Sequence, residues 1–597
     1  MMKTRYILPA ILLLAALSAA AQDLNPTVRV TNAYDGKLLQ VRKPAQHMDI
    51  PDSLTKFDLT FDYSVFENPY KGAYEFKPYL VDMAPRPDAY DGRKFYLRAG
   101  AGVSLHPEFD LLWSPSFKVP FWLNVYASHN SYFGKYRRSF VSRRDADPGS
   151  ELFVVTNHEK AAETIAEEDY RGYEMRNNLG AEGLYEWEDG AFNFDVGYIG
   201  LATKLYETSN YNALQLKTGV RSKDLGGSYM YYDANASWRF AMDDVSFSGG
   251  PYESLKINDI KFWGTFGPVI NSENRFLVDA SLDLSLYGGA FKTSMGLFSF
   301  TPKYLLSLDR LSLSLGARLS MPVRDSDLVY GYPLNAFDGQ FIYPDVYADF
   351  QIVPERLDVY ARVTGGATLN DYTAQKEDNW FFHPRMARNY GPLSDLTAER
   401  INAAIGFRGN YSNRFRFDIY GGYRAVANGL LQTVFYNSVK PGGLPKDIYP
   451  GIVYGDYGMA YAGLKFVYDG SPVLFQGKMV YGWTNIAKKG LNAFEPAPFT
   501  MDLKLRYNWR DRIYAGIRGS MATARRGRAI PQTPATQLQD VKLPGWFDLG
   551  LNAEAVFSRS LSFWVDASNL LNMTIYRSPL YPASGIWFTA GLTLSLQ

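Results

Sequence analysis

The chain ends on GIWFTAGLTLSLQ, in which Ile586, Phe588, Ala590, Leu592, Leu594 and Leu596 alternate with Trp587, Thr589, Gly591, Thr593, Ser595 and Gln597. Strict alternation is the period of a β-strand with one apolar face. A strand left at the end of a chain exposes unpaired N–H and C=O groups, which invite association with other chains. The pattern is not confined to the end. In RLSLSLGARLSM, Leu311, Leu313, Leu315, Ala317, Leu319 and Met321 oppose Ser312, Ser314, Gly316, Arg318 and Ser320. FLVDASLDLSLY, MDLKLRYNW and, from Lys94, KFYLRAGAGVSL repeat it.

A soluble antiparallel sheet with one wet face also alternates. Three features favour a membrane barrel. The runs often reach ten residues, where ordinary strands average about 5–6 and a bilayer-crossing strand needs about 9–11. The polar faces carry full charges and glycines. The connections also alternate in length. WEDGA, SLDRLS, VPERLD, YSNRFR, YDGSPV, WRDRIY and FSRSLS are tight turns, while long polar segments fall near 325–339, 369–399, 427–455, 486–496, 525–544 and 571–585. Short turns at one rim and long loops at the other describe an outer-membrane barrel. The predicted fold is therefore all-β: a transmembrane antiparallel barrel in which the last strand pairs with the first, because hydrocarbon tolerates no open sheet edge. The expected count is about 22 strands, with 20 as the fallback even number; the soft places are LHPEFDLLWSPSFKVPFW, read as one short strand, and TGVRSKDLGGSY, read as a turn or a bulge. The aromatic content of 16% (Tyr 44, Phe 38, Trp 11) supplies the rings for interfacial girdles.

The N-terminus sets the compartment. Lys3 and Arg5 precede an apolar run from Tyr6 to Leu17 and then SAAAQ, the layout of a secretory signal cleaved after Ala21. The predicted organisation is a signal peptide at 1–21, an N-terminal periplasmic segment at 22–92 and the barrel at 93–597, in the bacterial outer membrane. With Cys 0 there are no disulfides, thiolate ligands or cysteine nucleophiles, and a net charge of +1 gives no field for nucleic acid.

No motif points to catalysis. His47, His106, His129, His158 and His383 are scattered without metal-ligand spacing. G-x-S-x-G, P-loop and H-E-x-x-H motifs are absent. Asp279 and Asp283 fall on a polar strand face and are read as wall charges of a polar lumen. The expectation is no enzyme, no metal and no cofactor. The loop around 369–399 carries Trp380, Phe381, Phe382 and Tyr390, which are read either as extracellular contacts for a ligand or partner or as rings packing the loop onto its neighbours. Arg137, Arg138, Arg143 and Arg144, in KYRRSFVSRR, suit lipopolysaccharide phosphates, or pair with the acidic stretch that follows.

The C-terminal stretch FWVDASNLLNMTIYRSPLYPASGIWFTAGLTLSL resembles the last hairpin of TonB-dependent receptors through Asn569, Leu570, Tyr576, Tyr581, Pro582 and Gly585. The barrel pattern extends the likeness over roughly residues 94–597. Two departures stand out. The chain closes on Gln597 instead of an aromatic residue, and residues 22–92 are too few for the receptors' full plug domain. The resemblance implies a plug-less, receptor-like barrel that takes up a solute. A non-transporting structural subunit and a passive porin stand as alternatives. It also implies that PTVRVTNAYDG is similar to a TonB box, with Thr27, Val28, Arg29, Val30 and Thr31 adding as an extended peptide to an edge of TonB or another periplasmic partner.

Overall fold

The computed structural model describes residues 94–596, apart from 104, 137–140, 143–151, 156–169, 205–207, 223–229, 247–252, 272, 291, 325–339, 383–393, 413, 439–444, 487–490, 492, 532–538 and 580. The wall is one closed antiparallel barrel of 22 strands. Its first strands are short: β1 (Phe95–Gly102) and β2 (Glu108–Trp113). The next six are long: β3 (Phe121–Tyr136), β4 (Tyr170–Trp187), β5 (Gly190–Lys204), β6 (Thr208–Ser222), β7 (Met230–Ser246) and β8 (Glu253–Pro268). The wall continues with β9 (Asn274–Gly289), β10 (Thr293–Ser307), β11 (Leu311–Arg324), β12 (Ile342–Val353), β13 (Leu357–Asn370) and β14 (Asp395–Tyr411). The two longest follow, β15 (Phe415–Ser438) and β16 (Pro445–Gly470), and then β17 (Val473–Ile486). The last five are short again: β18 (Phe499–Trp509), β19 (Ile513–Ala522), β20 (Trp546–Val556), β21 (Leu561–Ser568) and β22 (Trp587–Leu596). The first uncertain segment holds one short strand, β2; of the second, Thr218–Ser222 end β6, and 223–229 lie outside the described residues.

One expected loop is mostly strand. Of the polar segment 427–455, β15 and β16 take all but residues 439–444. Leu430, Leu431, Val434, Phe435, Ile452 and Val453 supply enough β-prone surface to extend the ladder past a register shift between Val426 and Gly429. Asn428 sits at that shift with φ 50°, its amide donating to Asp395 Oδ2 at 2.9 Å and to the Leu396 carbonyl at 2.8 Å.

Closure follows the expected pairing. Phe95 faces Leu596 and the register runs without a shift to Gly102 opposite Thr589. The seam is clasped from inside by Trp564 of β21. Its ring lies across Gly591 of β22 and Gly100 of β1, where an added Cβ at either glycine would come within 2.5 Å of it. The Arg98 guanidinium lies over the ring at 3.8 Å. Glycine is required at both positions because the ring occupies the space of a side chain.

The outward face is apolar over the width of a bilayer. Leu214, Leu216, Trp238, Phe262, Leu315, Ile405, Ile419 and Leu592 are all exposed there. Among the described residues no helix is long and apolar enough to cross a membrane. Inside, polar residues pair across the wall. Lys303 meets Asp279 at 2.8 Å, Arg518 meets Asp566 at 2.5 and 2.7 Å, Arg98 meets Glu108 at 3.2 Å, and Arg408 contacts Asp349. Asp279 is thus a lumen wall charge, as read from the sequence.

A tilted strand crosses the hydrocarbon in about 9–11 residues, so β3 to β11 and β13 to β17 continue past it. On β6 and β8 the faces exchange roles there, whereas on β11 Met321 and Val323 stay exposed to the strand's upper end. On β8, Lys256 and Asn258 point out while Leu255 and Ile257 are fully buried inside; below them Ile260 and Phe262 point out and Asp259 and Lys261 point in. On β6, Asn210 and Asn212 are exposed above Leu214 and Leu216, and Tyr211 and Ala213 are buried inside above Gln215 and Lys217. We call this upper ring the crown. It is built like a water-soluble barrel, polar outside and apolar inside.

Candidate functional site in the barrel mouth

An apolar ring open to water must be covered. The cover is the β13–β14 loop, which turns back into the crown as α1 (Tyr372–Asp378) and the residues to Phe382. Asp371 caps the helix, its Oδ1 accepting from the Ala374 N–H at 2.7 Å, and the Asn379 N–H closes the far end on the Gln375 carbonyl at 2.9 Å. Tyr372, Trp380 and Phe382 enter a cluster with Leu201, Tyr211, Ala213, Ala241, Leu255, Ile257 and Tyr287, and with Phe435 of β15. The loop is therefore a strap lying on β5–β9 and touching the tall β15–β16 hairpin.

Beneath the apolar contacts lies a buried polar network. The Lys376 side chain is 1% exposed and Asp243 is 0% exposed. The ammonium lies 3.1 Å from Asp243 Oδ2, 2.7 Å from Ser209 Oγ and 2.6 Å from the Phe382 carbonyl. Asp243 also accepts from the Ser209 hydroxyl at 2.8 Å and from the Tyr372 phenol. One helical turn away, Asp371 meets Lys261 at 2.8 Å, and the Thr373 hydroxyl lies 2.6 Å from Asp259 and 2.8 Å from Asp371. Glu377 meets Arg239 at 2.9 Å. Asn379 donates to Ser578 Oγ at 3.1 Å and the Phe381 ring lies 5.2 Å from Tyr581, which ties the strap to the loop before β22.

Charge balance in this network is uneven. Burial raises the Asp371 pKa, but the Lys261 ammonium and the hydrogen bonds from Lys261, the Ala374 N–H and Thr373 outweigh it and hold the carboxyl at about 2. Glu377 is raised by burial, against the pull of Arg239 and Arg176.

Of the residues singled out from the sequence, Trp380 (9% exposed) and Phe382 (2%) face into the crown, with Arg176 6.0 Å over the Trp380 ring; Phe381 is half-buried. Tyr390, Thr27, Val28, Arg29, Val30, Thr31 and the four arginines Arg137, Arg138, Arg143 and Arg144 lie outside the described residues. His129 bonds Asn177 and Ser131 within the wall, and His106 stacks on Trp587 at 4.6 Å. Among the described residues, no three His, Cys, Asp or Glu side chains converge as a metal set. Sequence reasoning missed Asp243, Asp259, Lys261 and Lys376. The exchange of apolar phase in ESLKINDIKFWG was the available sign that something docks inside.

No protein-family profile matches the chain, and no curated protein matches it. Solved structures do. The barrel matches those of TonB-dependent receptors in strand number and closure. One is the copper transporter OprC, with TM-score 0.57 at 10% identity over 84% of this chain and 80% of that one. Another is the ferric enterobactin receptor PfeA from Pseudomonas aeruginosa, with TM-score 0.56 at 10% identity and the same coverage. The iron transporter FrpB from Neisseria meningitidis reaches TM-score 0.59 at 10% identity over 84% and 81%. At such identity the likeness is one of fold.

Proposed function

We propose that this chain is exported and takes up a solute across the outer membrane, with the strap narrowing the lumen from within the mouth. The supporting observation is the 22-stranded closed wall with a loop pinned inside its mouth, on the fold that OprC, PfeA and FrpB share. Thr27–Thr31 is then the peptide that joins a periplasmic energy-coupling partner such as TonB. The polar lumen and the lack of G-x-S-x-G, P-loop and H-E-x-x-H motifs in the sequence favour transport over an enzyme role.

A second reading, a structural barrel in a larger outer-membrane assembly, draws on the strap itself, since a fully paired buried network favours one fixed conformation. Deleting residues 27–31 separates the two. Loss of energy-dependent uptake, at unchanged barrel level and heat-modifiable mobility, is expected for the transporter. Unchanged uptake with loss of co-purifying proteins overturns it in favour of the structural subunit.

A further inference from the structure

The outward face of the closing strands holds a groove of about 870 Å³, within the range of about 300–1,000 Å³ typical of ligand sites. Register explains its shape. Ala101, Ala590, Val565, Ala553 and Ala515 stand opposite one another in one row across β1, β22, β21, β20 and β19. Small side chains in four of the five places sink the row below its surroundings. Phe588, Leu551, Ile517 and Leu505 form the flank on the loop side. At a rise of about 3.3 Å per residue and a tilt of about 40°, Ala515 lies about 5 Å and Ala101 about 15 Å above the lower ends of their strands, in a band about 25 Å tall. The groove therefore climbs through the periplasmic half of the bilayer.

Its lower end has a polar terminus. Tyr507 lines the groove and stands directly opposite Ala515, and the β18–β19 turn begins three residues later. Arg510 and Asp511 have φ 54° and 55°, the left-handed pair of a tight hairpin turn. Asp511 is held by Asn508, whose amide donates to Oδ1 at 2.6 Å while the Asp511 N–H donates to Asn508 Oδ1 at 2.9 Å. Arg510 and Arg512, both exposed, flank Asp511 in this turn, just beyond the groove's lining residue Tyr507, and the Arg510 guanidinium lies 5.8 Å from the Trp509 ring.

We propose that this groove binds a phospholipid of the periplasmic leaflet, with its phosphate on Arg510 and Arg512 and its acyl chains along the alanine row. The charge at one end and the hydrocarbon-facing trough running from it match an anionic headgroup with attached chains. Depth favours the inner-leaflet lipid over lipopolysaccharide. The inference rests on the membrane reading of the barrel but not on transport.

The test reconstitutes the full chain in phosphatidylethanolamine–phosphatidylglycerol vesicles that carry phosphatidylglycerol with a diazirine in its acyl chain. Photolabelled peptides are then mapped. Labelling should concentrate on β19–β22 and β1. It should fall at least fivefold there in Ala553→Phe with Ala590→Phe, while β8–β11 label as before and report intact folding. Arg510→Gln with Arg512→Gln should remove the preference of this site for the phosphatidylglycerol probe over phosphatidylethanolamine carrying the same diazirine. Labelling spread around the barrel in proportion to exposed area overturns the site alone, as does displacement by lipid A but not by phosphatidylglycerol. No labelling of any strand overturns the membrane reading with it.

Discussion

The membrane band and the crown are made from the same strands and obey opposite rules. In the band, Leu214 and Phe262 look out and Lys217 and Lys261 look in; two to six positions higher, Asn212 and Lys256 look out and Ala213 and Ile257 look in. No bulge separates the halves of β6 or β8, whose pairing registers run straight through. What changes is the solvent. Hydrocarbon rewards apolar side chains outside, while water above the headgroups rewards them only when covered. The crown therefore needs a core, and the strap supplies it. A barrel can thus acquire a lid without an added domain, by exchanging the phase of its strands one turn above the membrane.

The largest expected effect breaks the crown. Lys376→Met leaves Asp243 buried without its cation, a loss of about 3–5 kcal/mol in strap docking. Hydrogen exchange at residues 372–382 should rise accordingly, and adding Asp243→Asn should restore part of the protection. Unchanged exchange in Lys376→Met would refute the pinned strap. Next comes the band. Leu315→Arg should cost about 2–4 kcal/mol near the bilayer midplane, whereas Ser314→Arg on the lumen side should shift stability by no more than about 0.5 kcal/mol. Refolding titrations into vesicles measure both, and equal tolerance would remove the lipid-facing assignment. The smallest effect is acid loosening. The folded pKa of Asp371 lies below its ordinary 3.8, so its stabilisation of the strap is complete above about pH 4 and fades as pH falls towards about 2. Asp371→Asn should flatten that acid step in the exchange of Ala374. A step that persists in Asp371→Asn assigns it elsewhere.

Much of the band was legible from residue order alone. Alternation gave the strands, Arg510–Asp511 and similar pairs gave the turns, and the closing hairpin followed from the impossibility of a free edge in lipid. The crown was written just as openly in ESLKINDIKFWG, but as a change of phase, which a search for alternation passes over. The destination of the strap was not legible. Its anchors, Lys261 with Asp371 and Ser209 with Lys376, are 110 and 167 residues apart, and no local period encodes such a meeting. Trp380 and Phe382 looked equally suited to a ligand or to a neighbour; the apolar ring inside the mouth decides where they sit.

The indole of Trp564, resting on Gly591 and Gly100 in a single row, makes the final join self-checking. Sliding the last strand by two residues keeps every greasy side chain in fat, yet it brings Thr589 or Thr593 under the ring, where a branched side chain collides. A misaligned join therefore cannot seat, and the zipper has one tooth that fits in one place.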